Sequence, residues 1–415
     1  MTKKRYLLTF TSLFLFLLYI LTSCNDKTPK RNTSIAPNAT LNLALRNGIY
    51  ADVIEKCIPA FEAEYNVECN VLRLAEDELH SLVLKDSKNE EGTYDFCMVD
   101  SSWMAEYTAK KVLTNLTSLG YSLDNDIIPA TAAACYYDYD LYLAPYGGNV
   151  SVLLYNKLMI KEAGYSAEDI VSIEDMLEIC KFQKKRHNLG FMYRGDTENN
   201  IVVDFLPFLC SYGGWVVDSE YNPTINTIEF KRAMETYMEF VATGKAAKKD
   251  DLIAAIANKA AVMGIGWPGW YTPTKNSSMD YLALTGKATG NSLSHNANIY
   301  GIWTIGIPEN SKNKNYAIKL LAYLMEPELQ KSTVNIGGVP CRYSSLTDKE
   351  TLIKFPQYAV VCKALENGVY RPVMQEWSTF YTVLGEEMRL IITGQKDIET
   401  GLKDAQIKLD FLQLR

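Results

Sequence analysis

Short apolar runs alternate with amphipathic segments along most of the chain, and this alternation constrains the fold more than any other feature. The pattern predicts α/β domains with mainly parallel sheets. Several runs are apolar at every position, as a sheet covered by helices on both faces requires. The predicted strands are Leu41–Leu45, Val67–Leu74, Tyr94–Val99, Ser151–Tyr155, Ala261–Ile265 and Ile299–Ile307.

Amphipathic helices are predicted between these strands, because apolar residues recur there at helical spacing. One of them starts with a residue pattern that has the form of a capping box. The clearest helices are 233–241, which is followed by Gly244 as a stop, and the helix that follows the capping box Ser172–Asp175. Two more are Tyr316–Met325, which ends before Pro327, and 377–412, which has breaks near Gly394 and Gly401.

The N-terminus predicts export and a lipid anchor. Three basic residues precede an apolar run of 15 residues, 7–21, whereas a membrane-spanning helix needs ~20. Cys24 ends a Leu-Thr-Ser-Cys sequence that resembles a bacterial lipobox, in which the thiol is acylated and the preceding peptide is removed. An uncleaved N-terminal anchor is the alternative. We therefore expect residues 1–23 to be a signal peptide and 24–38 a lipidated polar tether, with the protein anchored outside the cytoplasmic membrane, in the periplasm or at the cell surface.

The remaining length and charge limit the classes of partner. Removal of residues 1–23 leaves 392 residues, which is enough for two domains with a large core. These residues contain 39 basic and 49 acidic side chains, a formal charge of −10. This charge argues against nucleic acid or an anionic membrane surface as the main partner.

The nine cysteines do not form a recognisable framework, and the sequence contains no Cys-x-x-Cys motif. Apart from Cys24, most lie in apolar runs, where a free thiol packs as a small apolar side chain. An exported protein can form disulfides, and Cys57 with Cys69 is the first pair to examine.

Two Gly-Gly junctions lie far apart in the sequence, at Ala144–Asn149 and at Ile336–Pro340. A chain that passes back and forth between two lobes would need such junctions, since hinges absorb backbone rotation. Two unrelated surface turns are the alternative interpretation of the same glycines.

Six segments follow one another in a characteristic order: Tyr94–Trp103, Leu153–Lys157, Ala260–Trp267, Ile305–Pro308 with Ser311–Lys314, Gly337–Pro340 and Gly401–Gln406. Together they resemble the family-1 extracellular solute-binding proteins of ABC importers, the maltose- and multiple-sugar-binding class. The similarity runs from about Leu41 to the C-terminus.

This resemblance implies an α/β periplasmic-binding-protein fold, type II-like, with two lobes joined by hinge segments. Lobe one would take 38–146 and 299–340, and lobe two 147–298 and 341–415. The resemblance also implies a monomer without a cofactor that encloses a sugar or oligosaccharide and delivers it to the membrane subunits of an ABC importer.

A carbohydrate site needs aromatic rings for the apolar faces of the sugar and planar polar groups for its hydroxyls. With the resemblance, this requirement selects twelve candidate ligand contacts. Three of them have equally plausible structural roles: Trp215 could cap the core, Asp204 could stabilise a helix N-terminus, and Arg371 could lie at the surface. Trp303, inside an apolar strand, is predicted to be core rather than contact. The candidates are Asn47, Asp100, Trp103, Tyr146, Asn149, Asp204, Trp215, Trp267, Trp270, Arg371, Trp377 and Tyr381.

Catalytic and metal-binding arrangements find little support. The three histidines lie near no serine elbow and in no His/Cys cluster. Asp138 and Asp140 share a strand face, but nothing completes a glycosidase pair or a calcium loop, so a polar strand or turn is preferred. The adjacent Tyr136 and Tyr137 resemble a ferric-ion motif but precede the hinge. No catalytic residue and no metal ligand is predicted.

Three classes of function remain. A sugar receptor is preferred. The others are a binder of another small solute, such as a polyamine, an organic anion or ferric ion, and a glycoside hydrolase.

Overall fold

The chain forms two α/β lobes, each built around one five-stranded sheet, which confirms the predicted two-lobe fold class. The structure is a computed structural model that describes residues 30–412, apart from 32, 34, 275, 285 and 287–296. The predicted signal peptide and Cys24 lie outside the described residues. Within them, no helix combines the length and the apolar character that crossing a membrane requires.

The strands fall into two sheets and one small hairpin. The first sheet has the order β2-β1-β3-β12-β6, the second β11-β7-β10-β8-β9, and β4 pairs with β5. The strands are β1 (Thr40–Arg46), β2 (Glu68–Leu74), β3 (Phe96–Asp100), β4 (Tyr136–Tyr137), β5 (Asp140–Leu141), β6 (Leu143–Gly147), β7 (Val152–Asn156), β8 (Leu189–Arg194), β9 (Lys245–Ala247), β10 (Ala261–Gly266), β11 (Met279–Ala283) and β12 (Trp303–Gly306).

The direction of the strands decides where ligands can bind. In the first sheet, β1 is parallel to β2 and β3, whereas β12 is antiparallel to β3 and β6. In the second sheet, β8 is parallel to β9 and β10, whereas β7 is antiparallel to β10 and β11. The carboxyl ends of parallel strands meet at one edge of a sheet, and ligands bind at such edges.

Helices cover both sheets. Those of the N-terminal part are Ile49–Tyr65, Glu76–Asp86, Met104–Ala109, Pro129–Ala133, Lys157–Glu162, Ile173–Lys185, Glu198–Ser211, Ile228–Thr243 and Lys249–Ala257. Those of the C-terminal part are Lys314–Leu324, Pro327–Thr333, Tyr343–Leu346, Lys349–Lys354, Tyr358–Glu366, Trp377–Ile392 and Ile398–Asp410.

Most predicted elements are confirmed, and two are corrected. Of the predicted strand 299–307, only Trp303–Gly306 is a strand, because the residues before it cross between the lobes. The break predicted near Gly394 is present, since this residue has a left-handed φ of 72°. The break at Gly401 is wrong. Gly401 lies inside the last helix, where a Cβ would come within 2.5 Å of the Ile391 side chain, so glycine serves close helix packing.

Two further predictions concern a disulfide between Cys57 and Cys69 and a polar strand or turn at Asp138. Cys57 and Cys69 are both free thiols, so the proposed disulfide is not formed. Burial raises the pKa of the Cys57 thiol to about 11 and that of Cys69 to about 12. Asp138 and Tyr139 have φ of 47° and 68° and form the turn between β4 and β5, as preferred from the sequence.

Three chain segments cross side by side between the sheets: 147–151, 297–302 and 336–341. The Gly148 N–H donates to the Val339 carbonyl at 2.7 Å, and the Ser151 N–H donates to the Ile299 carbonyl at 2.8 Å. The Gly301 N–H donates to the Asn149 carbonyl at 3.0 Å. Both Gly-Gly junctions therefore lie at crossings. The lobe boundaries at 146/147, 298/299 and 340/341 remain our proposal.

The first junction needs glycine for space rather than for a positive φ. A Cβ at Gly147 would lie 2.4 Å from the Tyr50 ring, and one at Gly148 would lie 3.0 Å from the Pro340 carbonyl oxygen. Both contacts are with groups that cannot easily move, because Tyr50 is buried and the carbonyl is backbone.

We predict that Gly147→Ala lowers the free energy of unfolding by ~1–3 kcal/mol, since overpacking forces neighbouring groups to shift. Gly269→Ala is the matched control, because its Cβ would make only ordinary contacts, the shortest at 3.4 Å. Chemical denaturation of both variants measures the difference. Equal stability of the two variants would contradict this account of the junction.

Candidate functional site

A cleft of about 330 Å³ lies between the lobes at the edges where the strands end. From the first sheet, Arg46 ends β1 and Asp100 ends β3, and both line the cleft. From the second sheet, Arg194 ends β8, and Trp267 follows β10. The cleft is therefore the ligand edge of both sheets.

The lobe-one wall is an arginine over an indole ring. The Arg46 guanidinium lies 4.9 Å from the centre of the Trp303 ring, and its Nε is 3.4 Å from the Glu76 carboxylate. Burial raises the pKa of the Glu76 carboxyl, and nearby Asp100 adds to this effect while Arg46 opposes it. Asn199 of lobe two donates to Glu76 at 3.1 Å, so this carboxyl is also contacted across the cleft.

The lobe-two wall repeats this arrangement. The Arg194 guanidinium lies 5.1 Å from the centre of the Trp270 ring. Its Nε donates to Asp204 at 3.1 Å, and the Arg194 backbone N–H donates to the same carboxylate at 3.0 Å. Asp204 is fully buried, which raises the pKa of its carboxyl, while Arg194 opposes this rise. Both walls thus present a guanidinium fixed by a carboxylate and an indole.

Unpartnered polar atoms surround the space between the walls. Tyr50 Oη, Asn149 Oδ1 and Asn199 Oδ1 are buried and have no hydrogen-bond partner among the described residues. Buried polar atoms are almost always hydrogen-bonded. A Cβ on Gly269 would lie 3.6 Å from both Tyr50 Oη and Asn149 Oδ1, so glycine keeps the space beside them open. These atoms are suited to a ligand that offers both donors and acceptors.

A buried ion pair joins the lobes at one end of the cleft. Arg371, from the segment before the helix Trp377–Ile392, donates to Asp100 at the end of β3. Asp100 also accepts from the Ser102 backbone N–H at 2.9 Å and from its hydroxyl at 2.8 Å. The carboxylate is therefore fixed from both lobes.

The structure brings five of the twelve predicted residues together in the cleft and places seven elsewhere. Those lining the cleft are Asp100, Asn149, Trp267, Trp270 and Arg371. Those outside its lining are Asn47, Trp103, Tyr146, Asp204, Trp215, Trp377 and Tyr381.

Trp103 is a core residue rather than the predicted ligand contact. Trp103 is 4% exposed and packs between His80, at 4.8 Å between ring centres, and Trp303, at 5.7 Å. Its indole therefore belongs to the lobe-one core. Trp303 is also 4% exposed and packs on Trp103, which confirms its predicted place in the core. It borders the cleft as well, because β12 runs antiparallel and begins at the ligand edge.

The other aromatic candidates belong to cores. Tyr146 is buried with its ring edge toward Tyr50, and Trp377 stacks on Phe380 at 5.7 Å between ring centres. Tyr381 packs edge-on against Trp377 of the same helix, and neither residue lines the cleft. Trp215 packs half-buried against the same core.

Two polar candidates are also displaced. Asn47 is exposed, its side chain accepts from Arg73 at 3.4 Å, and it is not part of the cleft lining. Asp204 lies beneath Arg194, so it positions that arginine rather than lining the cleft.

Sequence reasoning missed the two arginines Arg46 and Arg194, and also Glu76 and Asn199. The position of the two arginines in the sequence could have indicated them, since each is the last residue of a strand in the parallel part of a sheet. The contact between Glu76 and Asn199 joins residues 123 positions apart, and no sequence pattern indicates it.

Comparison with known proteins identifies the family. The family model described as "Bacterial extracellular solute-binding protein" matches residues 56–358. The chain belongs to this family.

Among curated solute-binding proteins, it is similar to the "Probable amino-acid ABC transporter periplasmic-binding protein" of Sinorhizobium fredii (strain NBRC 101917 / NGR234). The two are 23% identical over 276 residues, which cover 65% of this chain and 63% of that protein. The match thus spans less than two thirds of that relative's length.

Solved solute-binding proteins share the fold over nearly their whole length. Maltose-bound MalE3 of T. maritima has a TM-score of 0.79 at 21% identity, covering 90% of this chain and 99% of that one. A ribitol complex from Agrobacterium radiobacter K84 has a TM-score of 0.81 at 20% identity, with the same coverage. A D-mannitol complex from Agrobacterium vitis S4 has a TM-score of 0.77 at 19% identity, covering 90% and 97%.

We predict that Trp103→Ala lowers the free energy of unfolding of this solute-binding protein by ~3–5 kcal/mol, because it leaves a cavity in a packed core. Trp270→Ala should cost less, since that indole is half-buried at the cleft. Denaturant titration compares the two variants. If Trp270→Ala lost more stability than Trp103→Ala, the placement of Trp103 in the core would be contradicted.

Proposed function

We propose that this protein is a lipid-anchored receptor that captures a neutral sugar or polyol between its lobes and delivers it to an ABC importer. The observation that carries the proposal is the set of unpartnered buried polar atoms in the cleft, next to three indole rings. Sugars and polyols offer many hydroxyls, each able to donate and accept, together with C–H surfaces that pack on aromatic rings.

Charge balance in the cleft supports a neutral ligand. Its arginines are already engaged by carboxylates: Arg46 by Glu76, Arg194 by Asp204, and Arg371 by Asp100. An ionic ligand would have to compete with these internal pairs for its own counter-charge. The charged residues that line the cleft are the basic Arg46, Arg194, Lys249 and Arg371 and the acidic Glu76, Asp77, Asp100 and Asp196.

The bound ligands of the structural neighbours support the same class. MalE3 of T. maritima holds maltose, and the two Agrobacterium proteins hold ribitol and D-mannitol. The name of the S. fredii relative refers to amino acids, so amino acids belong in the test of this proposal. Membership of a solute-binding family supports a binding role without turnover.

Lobe closure is part of the proposed mechanism. The lobes would rotate about the crossings near Tyr146–Asn149 and Gly337–Pro340 and enclose the ligand in a monomer. The hydrogen bond from Asn199 to Glu76 supports this motion, because its two residues lie on opposite walls and can meet only when the walls are close.

The first test is a binding screen with a matched pair of asparagine variants. A thermal-shift panel of neutral sugars, polyols, amino acids and polyamines identifies the class, since a ligand that binds only the native state raises the melting temperature. With the best ligand, Asn149→Ala should weaken binding by roughly tenfold, the value of about one hydrogen bond. Asn47→Ala, at a residue outside the cleft lining, should leave the affinity unchanged.

Several results would contradict this function. Binding of amino acids or polyamines without binding of any sugar or polyol would favour the other class of solute. Cleavage of glycosides at catalytic rates would favour a hydrolase. An Asn149→Ala variant that binds as tightly as Asn47→Ala would show that the ligand lies elsewhere.

The lipid anchor has its own test. Cys24→Ala should abolish acylation, because the thiol is the acceptor, and should give either an uncleaved precursor or released protein. Metabolic labelling with a fatty-acid analogue and fractionation of the cell envelope measure both. A variant that is still processed and acylated would contradict the lipobox assignment.

A further inference from the structure

A second cavity, of about 180 Å³, lies beside the cleft on the other side of Arg371. Lobe one contributes the residues after β3 and the segment before β4, and the crossing contributes Tyr300. The lobe-two wall is the segment 370–373. The lining consists of Ser101, Ser102, Met104, Ala133, Ala134, Tyr136, Tyr300, Tyr370, Arg371 and Val373. Both lobes thus form this cavity, as they form the cleft.

The two spaces share one lining residue, Arg371. Asp100 lines the cleft, the next residue, Ser101, lines the second cavity, and Arg371 lines both. Among the described residues, the Arg371 guanidinium makes its hydrogen bond to Asp100 alone. Since a guanidinium has five N–H donors, Arg371 has donors left for a group that passes beside it.

The second cavity offers a different chemistry from the cleft. The Tyr300 hydroxyl donates to the Leu365 carbonyl at 2.6 Å and accepts from the Gly368 N–H at 3.0 Å. The Tyr370 hydroxyl donates to the Ala130 carbonyl. Both tyrosines therefore present ring surface to the cavity, with Met104 and Val373 beside them, whereas the cleft presents unpartnered polar atoms.

We propose that the second cavity binds a small apolar group attached to the sugar or polyol in the cleft. The ligand class is then a glycoside with an aromatic or apolar aglycone. This inference rests on the proposed function, because the cleft must first hold the sugar. The volume fits, since an apolar cavity of about 150 Å³ in another protein accepts benzene.

Matched glycosides test the inference. Methyl and phenyl glycosides of glucose, galactose and mannose, in both anomers, differ only in the group that would reach the second cavity. Calorimetry should show that the phenyl glycoside of the accepted sugar binds at least about tenfold tighter than its methyl glycoside. The reason is that transfer of the phenyl ring from water to an apolar cavity wall is favourable.

Two variants fill the cavity from opposite walls. Ala133→Phe places a ring on the lobe-one side at an exposed helical position, and Val373→Trp does so from the lobe-two side. Each should remove the advantage of the phenyl glycoside and leave the affinity for the methyl glycoside unchanged. Ala359→Phe, at an exposed helical position outside the cavity, is the control and should retain the advantage.

The outcomes separate this inference from the function on which it rests. If methyl glycosides bind but phenyl glycosides bind no tighter, the inference is wrong and the sugar receptor stands. The inference is also wrong if a disaccharide binds more tightly than the methyl glycoside and the phenyl glycoside does not. The second cavity would then accept a second sugar ring. If no glycoside, sugar or polyol binds, the proposed function itself fails. Loss of the phenyl advantage in both filled variants, but not in Ala359→Phe, supports the inference.

Discussion

The buried ion pair between Arg371 and Asp100 is the interaction on which the arrangement between the lobes depends. Burying two charges costs several kcal/mol per ion unless the pair is well bonded. Here Asp100 has further donors from Ser102, so its carboxylate is satisfied from both sides. The pair fixes the segment before the helix Trp377–Ile392 against the end of β3, beside the cleft.

Each wall of the cleft holds an arginine in place with an indole ring and a carboxylate. A guanidinium near a ligand must be held in place, because an unrestrained arginine loses side-chain entropy when it binds. Trp303 and Trp270 each support one arginine. Asp204 accepts hydrogen bonds from Arg194, and Glu76 forms an ion pair with Arg46. The walls are therefore pre-organised, which reduces the ordering cost of binding.

The fold could be predicted from the sequence because it depends on local pattern. Alternation of apolar runs and helices indicates two α/β lobes, and the Gly-Gly junctions indicate their crossings. The site was harder, because strand direction decides which aromatic residues border the cleft. Trp103 follows a strand and Trp303 begins one, and only the antiparallel pairing of β12 brings Trp303 to the ligand edge. Nothing in the local sequence indicates that pairing.

The three crossing segments have a mechanical consequence. Hydrogen bonds join the segment 147–151 to both 297–302 and 336–341. The three connections therefore form one short ribbon rather than three separate segments. A ribbon bends easily about one axis but resists twisting and sliding. Crowding around Gly147 and Gly148 adds stiffness, since these glycines are in close contact with their neighbours. If the lobes close as proposed, we expect the ribbon to favour bending in one direction, so that the same two walls would meet in the same register at each closure.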